Sequence, residues 1–256
     1  MNMPTARSTL AALRAEIAAL ERGGRAALAA AVAFGDPRID GRLAGGGLTL
    51  SAWHEFAGEG QELETGAAGA AFVARLAAPL AARGELLWVV RRDDLHAPGL
   101  ASLGFPAARL IQVCARDDGE VLAVLEDALR TKGIVAAFGE VETVDLTSGR
   151  RLQLACEQGG AVGFVLRRRP YGGLARTETG TAAATRWRLA PAPSEPQAGE
   201  PGLGPQRWRV TLERSRGGRT GAWILEAVEE DDVAHPFRLV AELADRDVAA
   251  PLRLAG

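Results

Sequence analysis

Trp53-His54-Glu55-Phe56-Ala57-Gly58-Glu59-Gly60-Gln61-Glu62-Leu63-Glu64-Thr65 is the stretch on which the reading of this chain turns. A strand over 48–56 runs into a glycine-marked loop, and a long Ala-rich helix over 63–83 stops before Gly84. The same grammar continues downstream. Apolar runs at 86–90, 109–114, 134–138 and 161–166 suit strands, with 86–90 and 134–138 buried on both faces. Helices at 118–132 and 147–158 lie between them, the second with Asp145 or Thr147 as its N-cap. This alternation predicts an α/β fold with a mainly parallel central sheet flanked by helices and right-handed crossovers. After residue 167 the pattern becomes polar/apolar alternation at 186–189, 208–214 and 222–227. That predicts an antiparallel strand extension on the C-terminal side, interrupted by a flexible Pro- and Gly-rich loop at 190–205.

The ends are read separately. Leu10, Leu13, Ile17 and Leu20 recur at helical spacing over 7–22, and Gly23-Gly24 stops the run, so the chain opens with an amphipathic helical arm. Such an arm either docks on a neighbour or packs on its own core. Residues 236–246 read as a short closing helix behind the acidic run Glu229-Glu230-Asp231-Asp232. The expected organisation is an N-terminal helix and linker at 1–47, a core at 48–228, and an acidic tail with a short helix at 229–256.

Composition bounds the function. The chain has 256 residues, 47% hydrophobic and 24% charged, the balance of a folded protein rather than a disordered one. A net charge of −2 supplies no global attraction to nucleic acid, so any such contact needs a local patch. Cys114 and Cys156 sit in apolar runs and read as buried thiols of a reducing compartment. No basic segment followed by an apolar core opens the chain, and no uncharged apolar run reaches about 18 residues. The expectation is a cytoplasmic protein without membrane contact. Lys132 is the only lysine, so lysine-dependent chemistry must use it.

A strand, a glycine-marked loop and a long helix at the start of a parallel sheet form the place where P-loop proteins hold phosphate. Their motif is G-x-x-x-x-G-K-[ST], in which backbone amides cradle the phosphates, Lys bridges them and Ser/Thr holds Mg²⁺. Here Gly58 and Thr65 keep the spacing, but Leu63 replaces the second Gly and Glu64 the Lys. The replacement reverses the sign of the site, with Glu59 and Glu62 nearby. Like charges about 4 Å apart cost a few kcal/mol even at a moderate effective dielectric. The metal-binding Asp expected after the third strand is also missing, and Glu140 either substitutes for it or is a solvated strand-end residue. Gly58, Glu64, Thr65 and Glu140 thus outline a degenerate nucleotide site, for which neither ATPase activity nor a cofactor is expected. An ordinary surface turn at 58–65 fits the same expectation.

Further segments complete the pattern: 86–91, 133–142, Gly163-Phe164-Val165-Leu166-Arg167, Thr185-Arg186-Trp187-Arg188-Leu189 and Leu212-Glu213-Arg214-Ser215-Arg216-Gly217-Gly218-Arg219-Thr220-Gly221. In this order, over roughly 7–245, the chain resembles the RecA superfamily core and, within it, the ImuA family. The last segment is similar to the basic hairpin with a closing Thr-Gly of RecA-like recombinases and helicases. The resemblance implies a RecA-like core and a role in the DNA-damage (SOS) response and error-prone translesion synthesis. It implies action through an ImuB-like inactive Y-family polymerase homologue and an error-prone DNA polymerase III alpha-type subunit. RecA and single-stranded DNA are further partners it allows, in a nucleoid-associated setting.

On that resemblance, Arg167, Arg168, Arg169 and Tyr171, the loop to Arg176, and Arg186 and Arg188 stand where the second DNA-binding loop lies. Arg offers bidentate phosphate contacts and Tyr a stacking face. The alternative is a solvated strand end whose arginines pair with carboxylates. Arg214, Arg216 and Arg219 form a partner or anion surface or an exposed basic turn. Leu13, Ile17 and Leu20, and Phe237, Leu239 and Leu243, are candidate partner-binding residues at the two ends; the second group could instead cover a sheet edge. His54-Glu55 lacks a second His four residues on, His96 and His235 are distant, and no zinc-ligand spacing exists. None of the serines sits in a G-x-S-x-G elbow, and the five tryptophans suit a core. Two further readings stay open: a RecA-like ATPase or recombination mediator with an altered nucleotide site, and a regulator that caps RecA filaments.

Overall fold

The structure, a computed structural model, describes residues 31–168, 181–196, 199, 202–228 and 235–243. In chain order the elements are β1 (Ala31–Val32), α1 (Pro37–Asp40), β2 (Leu48–Thr49), β3 (Trp53–Gly58), α2 (Glu62–Ala77), β4 (Glu85–Val90), α3 (Ala97–Ala101) and β5 (Leu110–Cys114). There follow α4 (Asp118–Arg130), β6 (Ile134–Val141), α5 (Leu146–Gly159), β7 (Val162–Arg167), β8 (Thr185–Ala192), β9 (Arg207–Ser215), β10 (Gly221–Ala227) and β11 (Phe237–Leu243). The main sheet has nine strands in the order β11-β10-β9-β8-β3-β7-β6-β4-β5. From β8 to β5 every pairing is parallel, and β9, β10 and β11 extend the sheet antiparallel beyond β8. The expected α/β fold with a mainly parallel sheet and an antiparallel side is present. The helical arm over 7–22 lies outside the described residues.

Two cores sandwich the sheet because strand side chains alternate between its faces. On one face Phe56, Trp88, Phe138, Phe164 and Trp187 pack under α2, and the Trp88, Phe138 and Phe164 rings stack at centroid distances of 4.6 and 4.9 Å. Val32, Phe34, Ile39 and Leu43, from the stretch before β2, join this core. On the other face Trp53, Val89, Val141 and Val165 pack under α4 and α5. A Cβ on Gly139 would come within 2.3 Å of Leu125 Cδ1, so β6 carries Gly where α4 presses on it. Residues 65–82 are apolar enough to cross a membrane by length and composition, but 61% of that stretch is buried, as befits a core helix.

Several expectations are corrected. The strand read over 48–56 is two strands broken by a turn, and the long helix ends at Ala77, where Pro79 begins a 3₁₀ turn (Ala78–Ala82). The closing helix at 236–246 is the strand β11. Phe237 and Leu239 point into the core while Arg238 points out, and Ile224 and Leu225 of β10 pair with Ala241 and Leu239, so Val240 bulges from the ladder. That short run fits a helix or a strand equally, and the exposed edge of β10 decides it. Cys114 is exposed because β5 is the sheet's outer edge; Cys156 is buried, and burial pushes its thiol up to about 12.

His54 belongs to a buried chain of hydrogen bonds. Its Nε2–H donates to the Thr49 carbonyl (3.0 Å), and the Thr185 hydroxyl donates to Nδ1 (2.8 Å) while accepting the Trp187 indole N–H (2.7 Å). Burial lowers its pKa from 6.5 to about 4. Below pH 6.5 the unfolded chain takes up a proton that the folded chain refuses, so stability falls as pH drops from about 7 to about 4, by about 3 kcal/mol through this group. Urea unfolding across that range should show a His54→Gln variant, already weaker at neutral pH, losing correspondingly less on acidification; parallel curves would contradict this.

Candidate functional site

The C-terminal ends of the parallel strands meet the first turn of α2, and period-two alternation sorts the charged residues there. Glu140 and Trp88 point toward α2, in phase with Phe138 and Leu86. Arg168, two residues beyond Leu166, emerges on the same side. Glu55, Arg167 and Arg186 take the other face, over α4 and α5. His54 and Glu55 therefore diverge, which is why that dipeptide cannot converge on one ligand.

Gly58 and Thr65, paired by the motif spacing, do meet. A Cβ on Gly58 would lie 2.4 Å from Thr65 Oγ1, so Gly lets the helix start close over the strand end. Thr65 is buried, and its hydroxyl donates back to the Gln61 carbonyl (3.0 Å) rather than outward. Backbone N–H of Glu59 donates to the Leu189 carbonyl (2.7 Å), which ties the loop to β8. The side chains of Leu63 and Glu64 lie outside what the structure describes.

Across this junction lies Arg168. Its Nε donates to Glu62 Oε1 (2.7 Å), Nη1 to Glu140 Oε2 (2.6 Å) and Nη2 to Asp94 Oδ2 (3.1 Å). Glu140, 3% exposed, also accepts the Trp88 indole N–H (3.0 Å). It is no solvated strand end, since β6 continues to Val141. Burial raises the Glu140 pKa while Arg168 holds it down; burial opposes the Arg168 charge, yet Glu140, Glu62 and Asp94 raise its pKa overall. Between Gly58, Thr65, Gly66 and Arg168 there remains a cavity of ≈ 10 Å³, about the room one water needs. Lys132 precedes β6 at the opposite end of the parallel strands, about 25 Å away along an eight-residue strand.

The second face carries its own pairing. Glu55, 3% exposed, accepts from Arg167 Nη1 (3.0 Å) and Arg186 Nε (3.1 Å), and Arg167 Nε donates to the Glu142 carbonyl (2.7 Å). Arg188 Nε donates to Glu213 (2.6 Å). Arg167, Arg186 and Arg188 lie on this face and Arg168 on the other, so the sheet divides the four, and each meets a carboxylate of the same chain. Arg169, Tyr171 and Arg176 lie outside the described residues, as do Leu13, Ile17 and Leu20. Arg214 and Arg216 donate to the carbonyls of Thr181 and Ala182, the latter at 2.9 Å, and Arg219 is exposed beside the turn at Gly217. Phe237 is buried and stacks on Phe72 (4.6 Å), Leu239 packs partly on the same core, and Leu243 is half-buried at the end of β11.

No family model matches the chain. The chain is 60% identical over 225 residues to Protein ImuA of Caulobacter vibrioides strain NA1000 / CB15N, covering 86% of this chain and 92% of that protein, and the same values hold for strain ATCC 19089 / CIP 103742 / CB 15. The chain belongs to the ImuA family. In this ImuA-family chain the residues that sequence reading missed are Asp94 and Trp88, with Glu62 as an ion-pair partner and Glu55 as the anchor of Arg167 and Arg186. One signal was available: Glu140 continues the inward phase of Ala136 and Phe138, and a buried carboxylate demands a cation.

Arg168→Met should cost about 3 kcal/mol by urea unfolding near pH 8, since it strands the Glu140 carboxylate. Near pH 5 the cost should shrink, because Glu140, relieved of Arg168, takes up a proton in the folded state. Adding Glu140→Gln should recover part of the loss; a pH-independent cost, additive in the double variant, would contradict this.

Proposed function

We propose that this chain is a non-catalytic RecA-like adaptor of DNA-damage-induced mutagenesis, which supports translesion synthesis by holding an inactive Y-family polymerase relative. Family membership supports the pathway. The observation that carries the non-catalytic part is Arg168, whose guanidinium lies over the first turn of α2 in a cage of Glu62, Asp94 and Glu140. A phosphate approaching that turn would have to displace the Arg168–Glu140 ion pair. The only lysine stands at the opposite end of the strands. The parallel sheet with helices on both faces and the strand–loop–helix junction after β3 support the RecA-like reading.

The reading places the protein in the cytoplasm, at the nucleoid, with the error-prone polymerase reached through the Y-family relative. It assigns no strand contact to Arg167, Arg168, Arg186 or Arg188, whose charges meet carboxylates within the chain. Co-expression with the Y-family relative should give a complex that survives gel filtration and is unchanged by added Mg·ATP. Failure to associate under any salt condition, or an ATP-dependent association, would overturn the reading.

A further inference from the structure

The outer face of α5 carries two exposed leucines. Leu146 is 51% and Leu154 53% exposed, and Arg150 lies between them on one helical stripe, with the leucines about 12 Å apart along the axis. Opposite stand Thr181, Ala182 and Arg216, and the groove between has a volume of ≈ 430 Å³. Its far wall is braced by Arg216, which donates to the Ala182 carbonyl (2.9 Å). The floor holds Gln153, whose Nε2 donates to Glu157 (2.8 Å) and the Ser51 carbonyl (3.3 Å), leaving Oε1 without a donor among the described residues.

We infer that this groove receives an acidic amphipathic segment of a partner protein: two apolar side chains seated beside Leu146 and Leu154, and a carboxylate between them facing Arg150 and Arg216. Charge decides the occupant. Two leucines and the Glu157 carboxylate make a poor seat for a phosphate backbone. A second copy laid two-fold across α5 would bring Arg150 against Arg150, which destabilises the pairing. An acidic segment meets the leucines and both cations at once, and its N–H groups are of the kind that Gln153 Oε1 lacks. The inference rests on the adaptor reading and names the surface that serves it.

The test measures affinity of the full chain for the purified Y-family relative. Leu146→Asp/Leu154→Asp should weaken binding about 30-fold or more. Arg150→Glu should weaken it about 10-fold at low salt and less at high salt, where screening shortens its reach. Ile111→Asp, at an exposed site on the far edge strand β5, should leave affinity unchanged. All variants should melt at the wild-type temperature, since these side chains are exposed. If the wild type binds and the α5 variants bind equally well, the groove assignment is overturned and the adaptor reading stands. Variants that lower the melting temperature without weakening binding also overturn it, because the leucines then pack on the chain itself. If the wild type does not bind, both fall.

Discussion

The ion pair between Arg168 and Glu140 is the constraint around which the site is arranged. A carboxylate in the buried end of a strand is costly unless a cation meets it. Arg168 supplies that cation from the end of the neighbouring β7, and its other nitrogens reach Glu62 on α2 and Asp94 after β4. One guanidinium thereby fastens three strand ends and a helix start. It does so at the place where a phosphate-binding protein leaves its loop open to solvent and presents a lysine.

The same logic governs several other arginines. Glu55 meets Arg167 and Arg186, and Glu226, 1% exposed on β10, meets Arg207 of β9 and Arg238 of β11, its register partners on both sides. Among the described residues, these guanidiniums hold buried carboxylates and lace the sheet. The groove on α5 differs in kind, with exposed leucines beside Arg150 and Arg216, the latter donating to the Ala182 carbonyl.

Much of this was legible in the residues. The runs at 86–90 and 134–138 become β4 and the start of β6, Asp145 caps α5 as one of its two candidates, and the alternation after residue 185 becomes β8 to β10. The vacancy at the motif lysine was equally plain. The replacement cation was not, because the partners of Arg168 lie 28, 74 and 106 residues away and converge only when β4, β6 and α2 are in place. Cys114 and β11 were misread for a related reason: apolar spacing cannot tell an edge strand from a buried strand or a short helix, and only the strand order settles which.

We propose that Arg168 closes the phosphate-loop position at the start of α2. Equilibrium dialysis of the purified wild-type chain against radiolabelled Mg·ATP, up to millimolar concentration, tests it most directly. No saturable uptake is expected. Saturable binding at micromolar ATP that Thr65→Ala abolishes would contradict it.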